Sequence, residues 1–171
     1  FIMVPRAAVS VRRVGEVLDT MPSIIDPKSP KKLPKDAKGK IEFKDVTFTY
    51  PEADLPVLSD INFVAEPGQT AFIGSTGSGK STLINLIPRF YDVSAGQILL
   101  DGVDIRNLKL EDLSGQIGYV PQKGVLFSGT VASNIKYGNA EASDKLVEKA
   151  AKIAQAEEFI SELKNGYKSE I

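Results

Sequence analysis

The sequence predicts an α/β fold centred on a strand, a glycine-rich loop and a helix in immediate succession. Three observations predict it. Ala71-Phe72-Ile73 is an apolar run, Gly74-Ser75-Thr76-Gly77-Ser78-Gly79-Lys80-Ser81-Thr82 follows the pattern G-x-x-x-x-G-K-[ST], and Leu83, Ile84, Leu86 and Ile87 then recur at helical spacing. Around this unit, period-two patterns in the first half of the chain and helical patterns in the second supply the remaining strands and helices.

The loop carries the chemistry. Gly74, Gly77 and Gly79 are expected to turn the backbone through positive φ and bring N–H groups close to an anion, while the helix beginning near Lys80 aims its N-terminal partial charge at the same place. Phosphate suits that geometry. Lys80 reaches the outer phosphates as a point charge, and the Ser81 hydroxyl completes the coordination of a Mg²⁺ bridging two phosphate groups. Ser75, Thr76, Gly77, Ser78, Gly79, Lys80, Ser81 and Thr82 are therefore the candidate residues for a nucleoside triphosphate with magnesium. A simple connector between strand and helix has no need of the Lys-Ser pair.

Composition narrows the chemistry further. The 171 residues are 42% apolar and 25% charged, as in an ordinary globular protein, and the net charge of −1 makes no global electrostatic case for nucleic acid. With no cysteine there is no disulfide or thiolate metal site, and with no histidine there is no imidazole base or zinc ligand. Lys, Ser, Gln, carboxylates and a bound metal must suffice. No apolar run approaches the roughly 18 residues of a spanning helix.

Taken in order, Phe1 to Leu18 places Val4, Ala7, Ala8, Val11, Val14 and Leu18 on one helical face. The pattern is that of either the tail of a longer helix or a surface helix packed on the domain. Asp26 to Lys40 contains Pro27, Pro30 and Pro34 and is rich in lysine, which reads as a linker, either a solvated tether or a segment close to anionic lipid headgroups. From Ile41 the period is two: Ile41 and Phe43 share one phase and Val46, Phe48 and Tyr50 the other, so a bulge is expected near Asp45. A loop over Pro51 to Pro56 precedes a strand through Ile61, Phe63 and Ala65, closed by the turn Glu66-Pro67-Gly68-Gln69. After the loop helix, which should end near Pro88 to Phe90, come a strand Gln97–Asp101, a short helix Leu108–Gln116 and a strand Ile117–Val120. That strand delivers Gln122 to its C-terminal end, the edge at which ligands sit in open α/β sheets. The rest is helical: Thr130 to Tyr137, then a helix capped by Ser143 with Leu146, Val147, Ala150, Ile153 and Ala154 buried, a face continued by Phe159, Ile160 and Leu163 up to Gly166.

Two residues outside the loop are candidate site residues. Tyr50 is either an aromatic platform for a nucleotide base or an exposed strand-end tyrosine. Gln122 is placed to touch Mg²⁺ or an attacking water. Asp101-Gly102 is an ordinary turn rather than a metal ligand. Asp112-Leu113-Ser114-Gly115 fits the D-x-x-G of GTPases but follows no apolar strand, and no N-K-x-D motif accompanies it.

The ordered set Phe48-Thr49-Tyr50, Gly74 to Thr82, Gly96-Gln97-Ile98-Leu99-Leu100-Asp101-Gly102, Tyr119-Val120-Pro121-Gln122 and Leu126-Phe127-Ser128-Gly129-Thr130-Val131 resembles the nucleotide-binding domain of exporter-type ABC transporters of the multidrug and lipid kind. The opening, Pro5 to Ser10 and Glu16 to Asp19, is similar to the end of their last transmembrane helix. The resemblance implies a P-loop NTPase (ABC ATPase) α/β core with an antiparallel β-subdomain and the start of a helical subdomain, incomplete at the C-terminus. It divides the chain into the end of a transmembrane-domain helix (1–22), a linker (23–40) and a partial nucleotide-binding domain (41–171) whose helical subdomain begins about residue 123.

The same resemblance makes Tyr50 the adenine-stacking aromatic, Lys80 and Ser81 the phosphate and magnesium contacts, and Gln122 the Q-loop glutamine, with Lys80 and Gln122 catalytic and Ser81 and Gln122 on the metal. It implies ATP and Mg²⁺ as cofactors, a second nucleotide-binding domain as partner in a homodimer or heterodimer, coupling helices of transmembrane domains docked near Leu126 to Asn134, no nucleic acid, and a place at the cytoplasmic face of the cell membrane. Leu113-Ser114-Gly115-Gln116 precedes the Q-loop and lacks a glycine, so it is not the LSGGQ signature. The chain stops before the signature, and no residue matches the Walker B aspartate, catalytic glutamate or switch histidine, so an ATPase in the full-length protein is expected to be nearly inactive as this fragment. The missing Walker B strand should leave a central sheet edge uncovered. The alternative is a soluble ABC-type nucleotide-gated interaction module without a transport role; an unrelated GTPase or small-molecule kinase is a third reading.

Overall fold

The computed structural model describes residues 3–171, with side chains from residue 7, so Phe1, Ile2 and the predicted apolar contact of Val4 lie outside the described residues. The chain forms two compact units, Phe1–Tyr119 and Val120–Ile171.

In the first unit, helix α1 (Met3–Leu18) forms where the sequence predicts it. Its residues from Ala7 on are exposed apart from half-buried Gly15. The sheet follows, with strands β1 (Ile41–Phe48), β2 (Leu58–Ala65), β3 (Ala95–Leu100) and β4 (Val103–Asp104) in the order β2-β1-β3-β4. Every pairing is antiparallel. The bulge expected at Asp45 is present: registers on both neighbours of β1 shift there, and Asp45 itself has φ 49°. It lets Phe43 on one side and Val46 and Phe48 on the other all turn inward, where Leu58, Ile98 and Leu100 join them. The turn joining β3 to β4 has positive φ at both Asp101 (47°) and Gly102 (82°), the geometry of a two-residue hairpin turn with the right-handed twist of its strands.

Helix α2 (Lys80–Leu86) packs Leu83 and Leu86 into this core, and α3 (Leu110–Ser114) adds Leu113 beside Leu108. The chain leaving α2 is pinned by Arg89, only 6% exposed, whose Nε and Nη2 donate to the two carboxylate oxygens of Asp92 at 2.7 and 3.1 Å. This fork-to-fork pairing compensates a guanidinium that would otherwise be costly to bury.

Three expectations need correction. Ala71–Ile73 and Ile117–Val120 form no strands: a strand exists only through a ladder, and neither segment has a ladder partner among the described residues. Ile73 is 97% and Val120 93% exposed, so the described sheet is wholly antiparallel and these apolar segments lie outside it. The linker is not a free tether. Asp26 Oδ1 accepts from the Leu110 N–H at 2.7 Å and so satisfies the first turn of α3, which the Lys109 side chain cannot do. The Lys31 N–H donates to the Asn107 carbonyl at 2.7 Å, Leu33 packs on the core, and the Asp101 carboxylate accepts from the N–H groups of Lys38, Gly39 and Lys40.

The second unit contains α4 (Val131–Ile135), α5 (Asp144–Ile153) and α6 (Glu157–Glu162). Thr130 caps α4 through a reciprocal pair with Ser133. The small core is Val131, Ala151 and Ile160, with Val147 also buried. Of the face predicted for α5 only Val147 is buried; Leu146, Ala150, Ile153 and Ala154 are exposed, as are Phe159 and Leu163 beyond it, because a core this small covers one narrow stripe of each helix.

Candidate nucleotide site

In the glycine-rich loop backbone donors, a cation and a concavity coincide. Gly79, at φ 86°, caps α2, and Gly77 stands at φ 81°; both conformations disfavour any side chain. Gly74 is not at positive φ, contrary to expectation. Its need for glycine is steric, since a Cβ there would lie 2.8 Å from the Ser78 Oγ. A Cβ on Gly79 would meet the Leu58 Cδ2 at the same distance, so the start of β2 is the floor of the loop.

Among the described residues, the N–H groups of Gly77, Gly79, Lys80 and Ser81 meet no protein acceptor, as the start of a helix leaves them. They border a cavity of about 180 Å³ lined by Val57, Gly77, Ser78, Lys80, Ser81 and Thr82. The Lys80 ammonium closes over the loop, donating to the carbonyls of Gly74 at 2.8 Å and Ser75 at 2.6 Å and to the Ser78 hydroxyl at 3.2 Å. Free N–H groups, a helix N-terminus and an ammonium around one hollow fit a polyphosphate. Ser81 is exposed beside them, its hydroxyl suited to a hard, oxygen-seeking cation such as Mg²⁺. No group of three or more acidic residues able to hold a metal occurs among the described residues.

Tyr50 and Thr82 are brought together. Tyr50 lies just beyond β1, half-buried, with its hydroxyl 2.9 Å from the Thr82 Oγ1. Its ring meets Phe48 edge-on at 4.8 Å and Tyr91 edge-on at 5.2 Å. The reading of an exposed strand-end tyrosine fails. Thr82 is only 7% exposed and its hydroxyl faces Tyr50. Ser75 and Thr76 are exposed on the loop. Gln122 belongs to the other unit, exposed on an irregular segment rather than at a strand end.

Sequence reasoning missed Val57 and Leu58 as the wall and floor of the loop. The apolar pair after Pro56 was the available signal, but nothing local ties it to residues some twenty positions later. Asp101, set aside as a turn residue, is that and also the clasp of the linker. Burial raises its pKa, but the three N–H bonds outweigh burial and hold the carboxyl below its ordinary value.

A phosphate-gripping loop on a helix, attached to an antiparallel sheet and followed by a separate helical unit, defines a P-loop nucleotide-binding protein. The chain belongs to the ABC transporter family, whose model matches residues 58–170. It is 46% identical over 162 residues to an uncharacterized ABC transporter ATP-binding protein of Mycobacterium tuberculosis, covering 92% of this chain and 28% of that one. It is 46% identical to the ATP-dependent lipid A-core flippase of Syntrophus aciditrophicus, covering 91% and 26%, and 50% identical to a putative multidrug export ATP-binding/permease protein of Staphylococcus aureus, covering 78% and 23%. Among solved structures it matches a bacterial Atm1-family ABC exporter with ATP bound, at a TM-score of 0.88 and 34% identity over 98% of this chain and 30% of that one. The chain thus spans under a third of the length of each of these relatives.

Proposed function

We propose that this chain is the ATP-binding part of an exporter-type ABC transporter, in which ATP binding and hydrolysis drive substrate export from the cytoplasmic face of the cell membrane. The observation that carries the reading is the Lys80 ammonium poised over a loop whose free N–H groups line a phosphate-sized hollow. The Lys80 side chain exchanges its three loop oxygens for phosphate oxygens, and the free N–H groups of Gly77, Gly79, Lys80 and Ser81 hold the phosphate chain in register. Magnesium bound with ATP would neutralise phosphate charge, and Ser81 and Gln122 are the residues of this chain that would hold it. Tyr50 offers its ring to the adenine, and Ser75, Thr76, Ser78 and Thr82 complete the cradle.

In the second unit Leu126 and Phe127 are exposed, and the Phe127 ring stacks on that of exposed Tyr137 at 4.2 Å. This aromatic shelf supports docking of coupling helices near Leu126 to Asn134, with a second nucleotide-binding domain, identical or not, facing the loop. The linker 23–40 and the end of a transmembrane-domain helix at 1–22 join it to the membrane portion.

No residue of the 171 matches the family's Walker B aspartate or catalytic glutamate, so this polypeptide by itself binds ATP and turns it over little. Calorimetric titration with Mg-ATP and with Mg-GTP, with Lys80→Ala as control and phosphate release assayed on the same samples, tests both points. Saturable ATP binding abolished by Lys80→Ala with negligible release is expected. Binding indifferent to Lys80 sinks the site assignment, and release far above the mutant sinks the expectation of low turnover.

A further inference from the structure

Tyr50 is separated from the loop helix by about thirty residues, yet its hydroxyl is hydrogen-bonded to Thr82, the third residue of α2. Either hydroxyl can donate. The pair is not a loose surface contact: Thr82 is 7% exposed, and the Tyr50 ring is braced by Phe48 and Tyr91, which also contact each other at 5.5 Å. Phe48 is itself locked in the core at 2% exposure. A rigid strand end therefore holds the first turn of the helix whose N-terminus faces the phosphate hollow.

Leu83 anchors the end of that turn in the core, while its first residues are lightly held. Gly79, its cap, provides no side-chain bond, and the first intrahelical acceptor is the Gly79 carbonyl, which takes the Leu83 N–H at 2.9 Å. Ser81 is exposed, and Lys80 bonds back to the loop rather than to the core. Thr82 thus adds the polar bond that ties the turn to the chain just beyond β1. Its hydroxyl faces Tyr50, so the side chain is held for positioning and the part of Thr82 in the cradle falls to its backbone.

We propose that Tyr50 is a positioning residue for the phosphate end of the nucleotide site: through its hydroxyl bond to Thr82 it fixes the first turn of α2, and with it the N–H groups and the Lys80 and Ser81 side chains that receive the phosphates. The inference rests on the nucleotide-site reading above and deepens it, because a tyrosine expected to serve the base acts here on the opposite end of the ligand. Pre-ordering this turn removes an entropic cost of binding, so loss of the hydroxyl weakens phosphate binding even when the aromatic ring is kept.

The test uses a ligand with no base. Binding of Mg-tripolyphosphate and Mg-ATP is measured by competition against a fluorescent ATP analogue, on the full chain and its Tyr50→Phe, Thr82→Val, Thr82→Ser and combined variants, each checked by its melting temperature. Tyr50→Phe is expected to weaken both ligands by the same factor, about three- to tenfold, the net worth of one hydrogen bond. The loss should vanish in the Thr82→Val background and persist with Thr82→Ser, which retains a hydroxyl. A role in overall stability alone would lower the melting temperatures in that pattern and leave the affinity of the folded protein for tripolyphosphate unchanged. Tripolyphosphate binding unchanged by Tyr50→Phe, or weakened equally in the Thr82→Val background, overturns the inference. Failure of the nucleotide-site reading is separate: wild-type binding that is undetectable or unaffected by Lys80→Ala sinks that reading, whereas Lys80-dependent binding indifferent to Tyr50→Phe sinks only the positioning role.

Discussion

Gly96 lies so close beneath the β1 bulge that a Cβ on it would fall 2.3 Å from the carbonyl oxygens of both Asp45 and Lys44. Gly96 also stands at φ 77°. The bulge and the glycine therefore define each other: Asp45 bends β1 toward β3, and only a residue without a side chain can sit opposite. Because the contacts are with backbone, no rotamer change relieves them.

Gly96→Ala is accordingly expected to cost roughly 2–4 kcal/mol, strain and clash together. Gly102→Ala is the control, since it has a similar φ of 82° but nothing within 4 Å of its Cβ direction, so only the conformational term of about 1 kcal/mol applies. Urea unfolding of the two variants should separate them clearly. Equal losses would mean that the close approach to Asp45 does not matter.

Asp101 makes part of the fold's stability depend on pH. Its folded pKa lies below the ordinary carboxylate value because the N–H bonds from Lys38, Gly39 and Lys40 outweigh the effect of burial. A depressed carboxylate contributes stability that is fully present above the unfolded value of about 3.9 and is lost as pH falls through the folded value. Asp101→Asn, which keeps one acceptor oxygen but no charge, should be less stable than wild type at pH 7, and the difference should shrink toward pH 2.5. Urea midpoints at both values check it; a gap that does not narrow rules out the carboxylate as the clasp of the linker.

Legibility followed the range of the interactions. The loop was readable because its chemistry is confined to nine consecutive residues, and the bulge because the phase change between Phe43 and Val46 is written within β1. The strands expected at Ala71–Ile73 and Ile117–Val120 were misread because an apolar extended segment becomes a strand only beside a partner, and none pairs with them among the described residues. The linker was misread for the same reason in reverse. Proline and lysine signal a tether locally, while the acceptors that dock it, such as Asp101, and the helix that Asp26 caps lie more than sixty positions away. Tyr50 and Thr82 were each singled out, for the base and the phosphates respectively. Their bond to one another crosses 32 positions and had no signal in either neighbourhood.

Within the second unit, Asn134 holds the loop that carries the aromatic shelf. Its Oδ1 accepts from the Phe127 N–H at 2.8 Å, and its Nδ2 donates to the carbonyls of Phe127 at 2.9 Å and Thr130 at 3.0 Å. One amide side chain thus satisfies both the donor and the acceptor of Phe127, and it does so from the penultimate residue of α4, itself fixed by the Thr130–Ser133 cap. Asp at this position would keep the acceptor and lose both donated bonds; Ala would lose all three. The expectation is a graded loosening of Phe127 to Thr130, with amide exchange at Phe127 about tenfold faster in Asn134→Ala and less changed in Asn134→Asp, while the amides of α5 keep their protection. If coupling helices dock on the Phe127–Tyr137 shelf, Asn134→Ala in the full transporter should lower substrate-stimulated ATPase more than basal ATPase. Unchanged exchange at Phe127 would show that the loop is held by its surroundings rather than by Asn134, and would remove the reason to expect any such effect on coupling.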